Sequence, residues 1–528
     1  MTENPGSDPW DFLPRRTQQS PDDSSPSAAD ADSVPDSSGA AGKAGAAQVA
    51  GEPSASEDPW GFLAQRKASV AAREDAGSIP PAQVEKREAG EFRASMGGVS
   101  LKRRALPIAL ALALVSVAGF LTETVAATQL VSIAGAQSLF VVYPLGGIGL
   151  VLLAFVQFRF VDQRARLTVL RVVGLLYAVG FIIALILLGS SLVPVIATAL
   201  IYLLGDQLNF LIPLLIWSLA GDEFNVAEGR KIFGWIVAWT YAGQLLGLAI
   251  ATGSPFAFGA LGLPLPALLV IDPIVCVAIA LLLPRALRGS FAAQGANRSE
   301  SLKESLGGAW DFVNGVPVWR SFLLASVVTF VGGMTVFLSF MAGEGELLGS
   351  SAGDLQFFFG AVMLGSLTIC LILQKFFAER LQERIGIPGV LMILPVMTIL
   401  AGILLALGIA LQSLALLALG LASWFIPRWS IDENARRAAL ALVPDERRTR
   451  VSFLVDLIPI SVGLIIAGPL AAVGYASGWL WSIPAAGAIV AAFAVAPMIR
   501  VRRGWADSLL NWRLRRRKQN RSLALGDS

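Results

Sequence analysis

Long apolar runs broken by short polar stretches set the pattern of residues 101–500. A helix needs about 20 predominantly apolar residues to cross the hydrocarbon core of a bilayer. Runs of that kind lie near 105–128, 137–160, 167–189, 193–219, 231–252 and 263–284, and again near 319–341, 354–377, 388–409, 411–430, 450–473 and 478–499. A polar stretch at 286–318 separates the two sets of six. Only helices and closed barrels satisfy backbone polar groups in lipid, and no alternating pattern marks a barrel. The pattern predicts an all-α integral membrane protein with twelve transmembrane helices in two six-helix bundles. Its expected organisation is an acidic tail at 1–100, bundles at 101–285 and 319–500, a linker at 286–318 and a basic tail at 501–528.

The basic residues orient these spans, because Lys and Arg favour the cytoplasmic side. Lys102, Arg103 and Arg104 precede the first span, and Arg159, Arg164 and Arg166 follow the second. Arg230 and Lys231, Arg380 and Arg384, and then Arg436, Arg437, Arg447, Arg448 and Arg450 fall on the same side. Opposite loops, such as Gly189-Ser190-Ser191, carry no Lys or Arg. The loop after span seven is expected to hold Glu344, Glu346 and Asp354. Both termini are therefore expected in the cytoplasm. The Ala/Gly/Arg-rich character of the chain suggests a bacterial inner membrane.

Composition supports this picture. Of 528 residues 55% are hydrophobic and 15% charged, against about 45–50% and 25% in soluble domains. Residues 1–100 hold 9 Lys/Arg and 16 Asp/Glu, leaving 32 and 22 of the totals of 41 and 38 for the remainder. The net +3 is thus a tail of −7 joined to a body of +10. The Ser/Ala/Asp/Pro/Gly-rich tail cannot bury enough apolar area to offset its chain entropy and is expected to be disordered. It repeats one element: Asp8-Pro9-Trp10-Asp11-Phe12-Leu13 returns as Asp58-Pro59-Trp60-Gly61-Phe62-Leu63. The Trp10/Phe12 and Trp60/Phe62 clusters are candidates for docking a cytoplasmic protein, against a neutral duplication or weak lipid contact. After the last span, Trp505, Leu509 and Trp512 recur at helical spacing before Arg513, Arg515, Arg516, Arg517 and Lys518. That segment is expected to lie on the anionic membrane surface, not on nucleic acid.

No His occurs, and Cys276 and Cys370 sit in apolar runs. Histidine metal sites, Ser-His-Asp triads and a disulfide framework are excluded. No P-loop, zinc motif or glycine-rich nucleotide fingerprint is present. No enzyme activity, metal or cofactor is expected.

The two halves echo each other. Asp162 through Arg166 corresponds to Glu379 through Arg384, and Arg230 precedes Gly243 as Arg450 precedes Gly463. Two six-span halves in parallel relation are the major facilitator plan, with a central cavity between them. Several segments resemble the ATP/ADP translocase (nucleotide transporter) family. They are 121–166, Trp217-Ser218-Leu219-Ala220 through Glu228-Gly229-Arg230-Lys231 with Gly243 and Gly247, and Gly315-Val316-Pro317-Val318-Trp319-Arg320. Glu383-Arg384-Ile385-Gly386 and Val443-Pro444-Asp445-Glu446-Arg447-Arg448 through Asp456 are similar to its second-half loops. The resemblance implies the fold. Members that exchange nucleotides carry basic residues in the first span, where this chain has Thr122-Glu123-Thr124. This departure places the chain with the wider, non-nucleotide relatives.

A charge at a membrane-helix centre is costly, so each one should face protein or a wet cavity. Glu123 in span one and Asp206 in span four are the leading candidates for substrate or coupling-ion contact. Tyr202 and Asn209 share the Asp206 face at i−4 and i+3, and a structural hydrogen-bond network is the competing reading. Asp272, before Pro273, reads mainly as a helix break or packing group. Thr240 and Gln244 in span five and Thr335 in span seven are further substrate candidates, with polar contact between helices as the alternative. Arg428 and Asp432, four apart, are candidates for a gate or a local ion pair. The expected function is secondary active transport of a small solute by alternating access, coupled through carboxylates. The alternatives are an ATP/ADP-type nucleotide exchanger and a non-transporting scaffold that recruits partners through its tail.

Overall fold

The computed structural model describes residues 101–161, 166–190, 192–224, 226–287, 302–440, 443 and 445–526. The duplicated Trp10/Phe12 and Trp60/Phe62 segments lie outside them. The first set of spans is α1 (Leu101–Ala134), α2 (Gln137–Val161), α3 (Arg166–Gly189), α4 (Pro194–Glu223), α5 (Val226–Leu261) and α6 (Ile271–Ala286). A 3-10 turn, Leu265–Val270, leads into α6. After α7 (Leu302–Gly315) come α8 (Pro317–Leu348), α9 (Ala352–Phe376), α10 (Ala378–Leu391), α11 (Ile393–Ala410) and α12 (Leu414–Pro427). A π-helical turn, Arg428–Asp432, joins α12 to α13 (Glu433–Leu440), before α14 (Asp445–Ala476) and α15 (Ser482–Gly526). Among the described residues eleven helices are long and apolar enough to cross a membrane, and Gln137–Leu152 of α2 is a shorter apolar helix.

Local chemistry sets the helix ends. Pro194 and Pro317 stand in the first turns of α4 and α8, where their missing N–H costs nothing. Gly135 and Gly349 turn the chain after α1 and α8 with φ of 74° and 70°, a conformation that disfavours a Cβ. We call the side where these turns lie the distal end, and the side where α1 and α8 begin the proximal end.

α1 and α8 are the central helices. Their apolar windows are 78% and 72% buried, against 28–44% for the other spans. Equivalent glycines seat the fifth span of each half on its first. Gly243 and Gly247 lie on the Ala113 and Val117 carbonyls of α1, and Gly463 lies 3.0 Å from Phe330 of α8 as measured from an ideal Cβ. Gly243 and Gly463, which the sequence pairs as equivalents, thus both seat on the first span of their half, while the side chains of Arg230 and Arg450 lie outside the described residues.

A second symmetric pair of contacts joins the halves. α2 packs on α14, with Gly147 against the Ser461 carbonyl and Gly468 against Phe140 and Pro144. α5 packs on α9, with Gly360 against Thr252 and with Gln356 donating to the Ala251 carbonyl at 2.8 Å and to Ser254 at 2.6 Å. At the distal end α1 also meets the α8–α9 turn, where Ser132 donates to the Ser350 carbonyl at 2.5 Å.

Two expectations change. Glu344 is not in a loop: α8 continues to Leu348 and buries it completely. The segment after span twelve continues α15 to Gly526. Trp505 packs into the proximal core with Val318, Met498 and Val501 rather than facing lipid, because Gly504 lets α8 approach.

Candidate functional site

The polar interior of the first half is built on α1, α2, α4 and α6. Glu123 is partly accessible although Leu121, Thr122, Thr124 and Val125 around it are buried. With protein on every side of this part of α1, that accessibility is to internal space rather than lipid. Asp206 of α4 faces Glu123 closely enough for the two charges to oppose each other. Gly146 of α2 makes room for the Asp206 carboxylate, 3.4 Å from where a Cβ would stand.

The sequence stripe of Tyr202, Asp206 and Asn209 does point one way. Asn209 fills the place a side chain at Gly119 would take, so it locks α4 to α1. Tyr202 is stacked on Tyr143 of α2, with ring centroids 5.9 Å apart. Tyr143 was not legible as a site residue. Its one sequence signal is scarcity, since the chain has 5 Tyr, and three of them (Tyr143, Tyr177 and Tyr202) converge here. Tyr177 of α3 donates to Gln207 Oε1 at 3.4 Å.

Asp272 joins the same region through Thr122, whose hydroxyl donates to Asp272 Oδ1 at 2.6 Å. Asp272 stands in the first turn of α6, directly after the 3-10 turn. Its Oδ2 has no partner among the described residues. Three carboxylates thus share one interior region. α1 carries basic residues only at Lys102, Arg103 and Arg104, and α4 carries none. No basic residue of α1 or α4 therefore lies at the depth of Glu123 and Asp206.

Tyr143 also links the halves: its ring lies 5.9 Å from Phe337 of α8, which packs on Trp424 of α12 at 6.3 Å. Gly333 provides the space for the Trp424 indole. One turn closer to the proximal end, buried Arg428 lies over Phe330, 4.6 Å from the ring centroid, a cation–π contact.

The other sequence candidates are not drawn in. Thr240 donates to its own helix at the Ile236 carbonyl, 3.4 Å, and Thr335 to Val331, 2.8 Å. Thr335 faces α15, near Gly487. Gln244 is buried, with Oε1 unpartnered among the described residues.

Arg428 and Asp432 do not pair with each other. In the π-helical turn the Glu433 N–H reaches back five residues to the Arg428 carbonyl. This extra residue per turn rotates Asp432 away and brings Glu433 under Arg428, with a 3.1 Å ion pair. Asp432 instead binds buried Arg436, which also donates to Ser326 of α8 at 3.0 Å. The first half has a comparable node, in which Arg104 of α1 contacts Glu223 of α4 at 3.2 Å and Glu228 of α5 at 3.0 Å. Each node ties the first span of its half to the fourth at the proximal end.

Among the described residues no group of three or more His, Cys, Asp or Glu is placed to hold a metal ion. No family profile matches the sequence, and no curated protein does. Solved transporter structures do match the fold. A bacterial homologue of the iron transporter ferroportin, inward-facing, aligns with a TM-score of 0.58 at 14% identity, covering 76% of this chain and 99% of that one. The POT family transporter PepTSo aligns at 0.56 and 13%, covering 78% and 98%. The nucleoside transporter NupG aligns at 0.52 and 16%, covering 75% and 99%. The chain has the major facilitator fold of these secondary transporters.

Proposed function

We propose that this chain is a secondary active transporter that moves a small solute by alternating access of its two six-helix halves, at 101–285 and 319–500. Asp206 and Glu123 are its substrate or coupling-cation carboxylates. The observation that carries the reading is the placement of these two acids. They face each other from α1 and α4, partly accessible inside the protein, with no basic residue at their depth on either helix. Tyr143 and Tyr202 flank them and border the second half through Phe337. A carboxylate pair of this kind favours a cationic or neutral solute and gives protons a place to exchange. The Lys/Arg distribution supports a proximal end in the cytoplasm, with both termini there, in a bacterial inner membrane.

The test begins with thermal stability of the purified protein against nucleotides, amino acids, sugars and polyamines. A ligand at about a hundred times its dissociation constant adds about 2.7 kcal/mol to the folded state. The solute so found is then assayed for uptake into proteoliposomes under a proton gradient. Asp206→Asn is expected to abolish coupled uptake while leaving the apo protein's melting temperature within a few degrees. Unchanged proton dependence in that variant would remove Asp206 from the mechanism.

The second reading is an ATP/ADP-type nucleotide exchanger, favoured by the sequence segments that resemble that family. Uptake of ATP into ADP-loaded proteoliposomes decides for it. The interior acids without nearby cations weigh against it.

A further inference from the structure

Glu344 has no part in the site just described, yet both of its carboxylate oxygens are buried and unpartnered among the described residues. It is 0% exposed near the distal end of α8. The Phe359 amide of α9 approaches it but is without hydrogen-bonding geometry. One turn earlier on α8, Phe340 stacks on Phe358 at 5.8 Å and lies 6.0 Å from Phe359. The next residue, Gly345, has Val131 of α1 against it, 3.1 Å from where a Cβ would stand. Ser132 and Ser350 bond across the same seam. Glu344 is therefore buried where the two halves are joined.

No basic residue of the described helices packed against α8 lies at its depth. Basic residues of α8 begin and end with Arg320, 24 residues away along the helix, or about 36 Å at the α-helical rise. On α9 only Lys375, at the proximal end, is basic; on α1 only Lys102, Arg103 and Arg104 are, at its start. α11 and α12 carry no charge, and α14 and α15 carry theirs in their proximal parts; Arg159 is the only charged residue of α2. The acids nearby, Glu346 of α8 and Asp354 of α9, are exposed, and Glu123 lies two turns below Val131 on α1. A buried ionised carboxylate without donor or counter-charge is strongly disfavoured.

We propose that Glu344 holds a proton while the halves are joined at the distal end and releases it when they part, making it a proton-operated latch of that seam. In the joined state the bound proton removes the buried charge. Separation admits water, which solvates the carboxylate and lets the proton leave. Its meaning for transport rests on the transporter reading, but the latch itself does not.

Spin labels at exposed Ile133 on α1 and exposed Ser350 after α8 report the seam. They are placed in the full chain in lipid nanodiscs, with Cys276 and Cys370 replaced by Ala. Inter-label distances are recorded from about pH 5 to about pH 9, spanning ordinary carboxylate and histidine titrations. The expected result is a short distance at low pH, with a longer population growing as pH rises. Glu344→Gln, a neutral isostere, should hold the short distance at every pH. A wild-type distribution indifferent to pH would overturn the latch, as would a response that survives in Glu344→Gln. A seam that closes on adding sodium at fixed high pH, and does so only with Glu344 present, would assign the site to a metal cation and overturn the proton. A pH-dependent seam in a protein that moves no solute would leave the latch standing and sink the transporter reading instead.

Discussion

Thr122 donates its hydroxyl to Asp272 across the α1–α6 contact, and both residues are buried. Removing a donor from a buried acceptor costs the desolvation of the group left behind, about 1–3 kcal/mol. Thr122→Val, nearly isosteric, is therefore expected to lower stability by about that amount in chemical denaturation. In an Asp272→Asn background the same change should cost less, because no carboxylate is stranded. Equal costs in both backgrounds would show that the bond carries no special weight. The stripe of Tyr202, Asp206 and Asn209 was legible because helical spacing alone places residues four and three apart on one face. Tyr143 and Glu344 were not, since their importance comes from what other helices bring beside them. Glu344 was misplaced into a loop because Gly343, Gly345 and two acids read as a break, whereas packing against α1, α11 and α12 keeps the helix intact.

Helix contacts at the element scale depend on which glycines touch backbone. Gly243 and Gly253 are both in α5, yet only Gly243 faces the Ala113 carbonyl, while Gly253 has nothing within 4 Å of an added Cβ. Gly243→Ala should destabilise by about 1–3 kcal/mol through overpacking. Gly253→Ala should be neutral or stabilising by up to about 1 kcal/mol, from helix propensity. Melting temperatures of the two variants check this, and a smaller loss at Gly243 than at Gly253 would contradict the α1–α5 packing. The repeat of Arg230/Gly243 in Arg450/Gly463 was visible as spacing, and its two glycines make equivalent contacts. The π-helical turn at Arg428–Asp432 was not visible. Pairing Arg428 with Asp432 assumed 3.6 residues per turn, and the wider turn after Pro427 moved the partner to Glu433.

For the whole molecule, the joined distal seam is one state of the proposed cycle. Pro255 of α5 and Gly353 of α9 lie in opposite halves, with an ideal Cβ at Gly353 3.7 Å from that of Pro255. Disulfides have Cβ separations of about 3.5–4.5 Å. The Pro255→Cys/Gly353→Cys pair should cross-link under mild oxidant and block solute uptake, and a reductant should restore it. Full uptake by fully cross-linked protein would mean that the halves need not part at this seam. Native Cys276 and Cys370 are buried and do not interfere.

The sequence by itself determined the all-helical membrane class, the positions of nearly all spans and the two-fold repeat. Hydrocarbon thickness and backbone hydrogen bonding leave few ways to fold such apolar runs. The tertiary structure decided which spans stand at the centre, which acids meet, and which carboxylate is left without a partner. Apolar content is alike in α1, α8 and the outer helices, so sequence hydropathy does not distinguish a lipid face from a helix face. Glu123, Asp206 and Glu344 differ in their neighbours, and those neighbours come from helices far away in the chain.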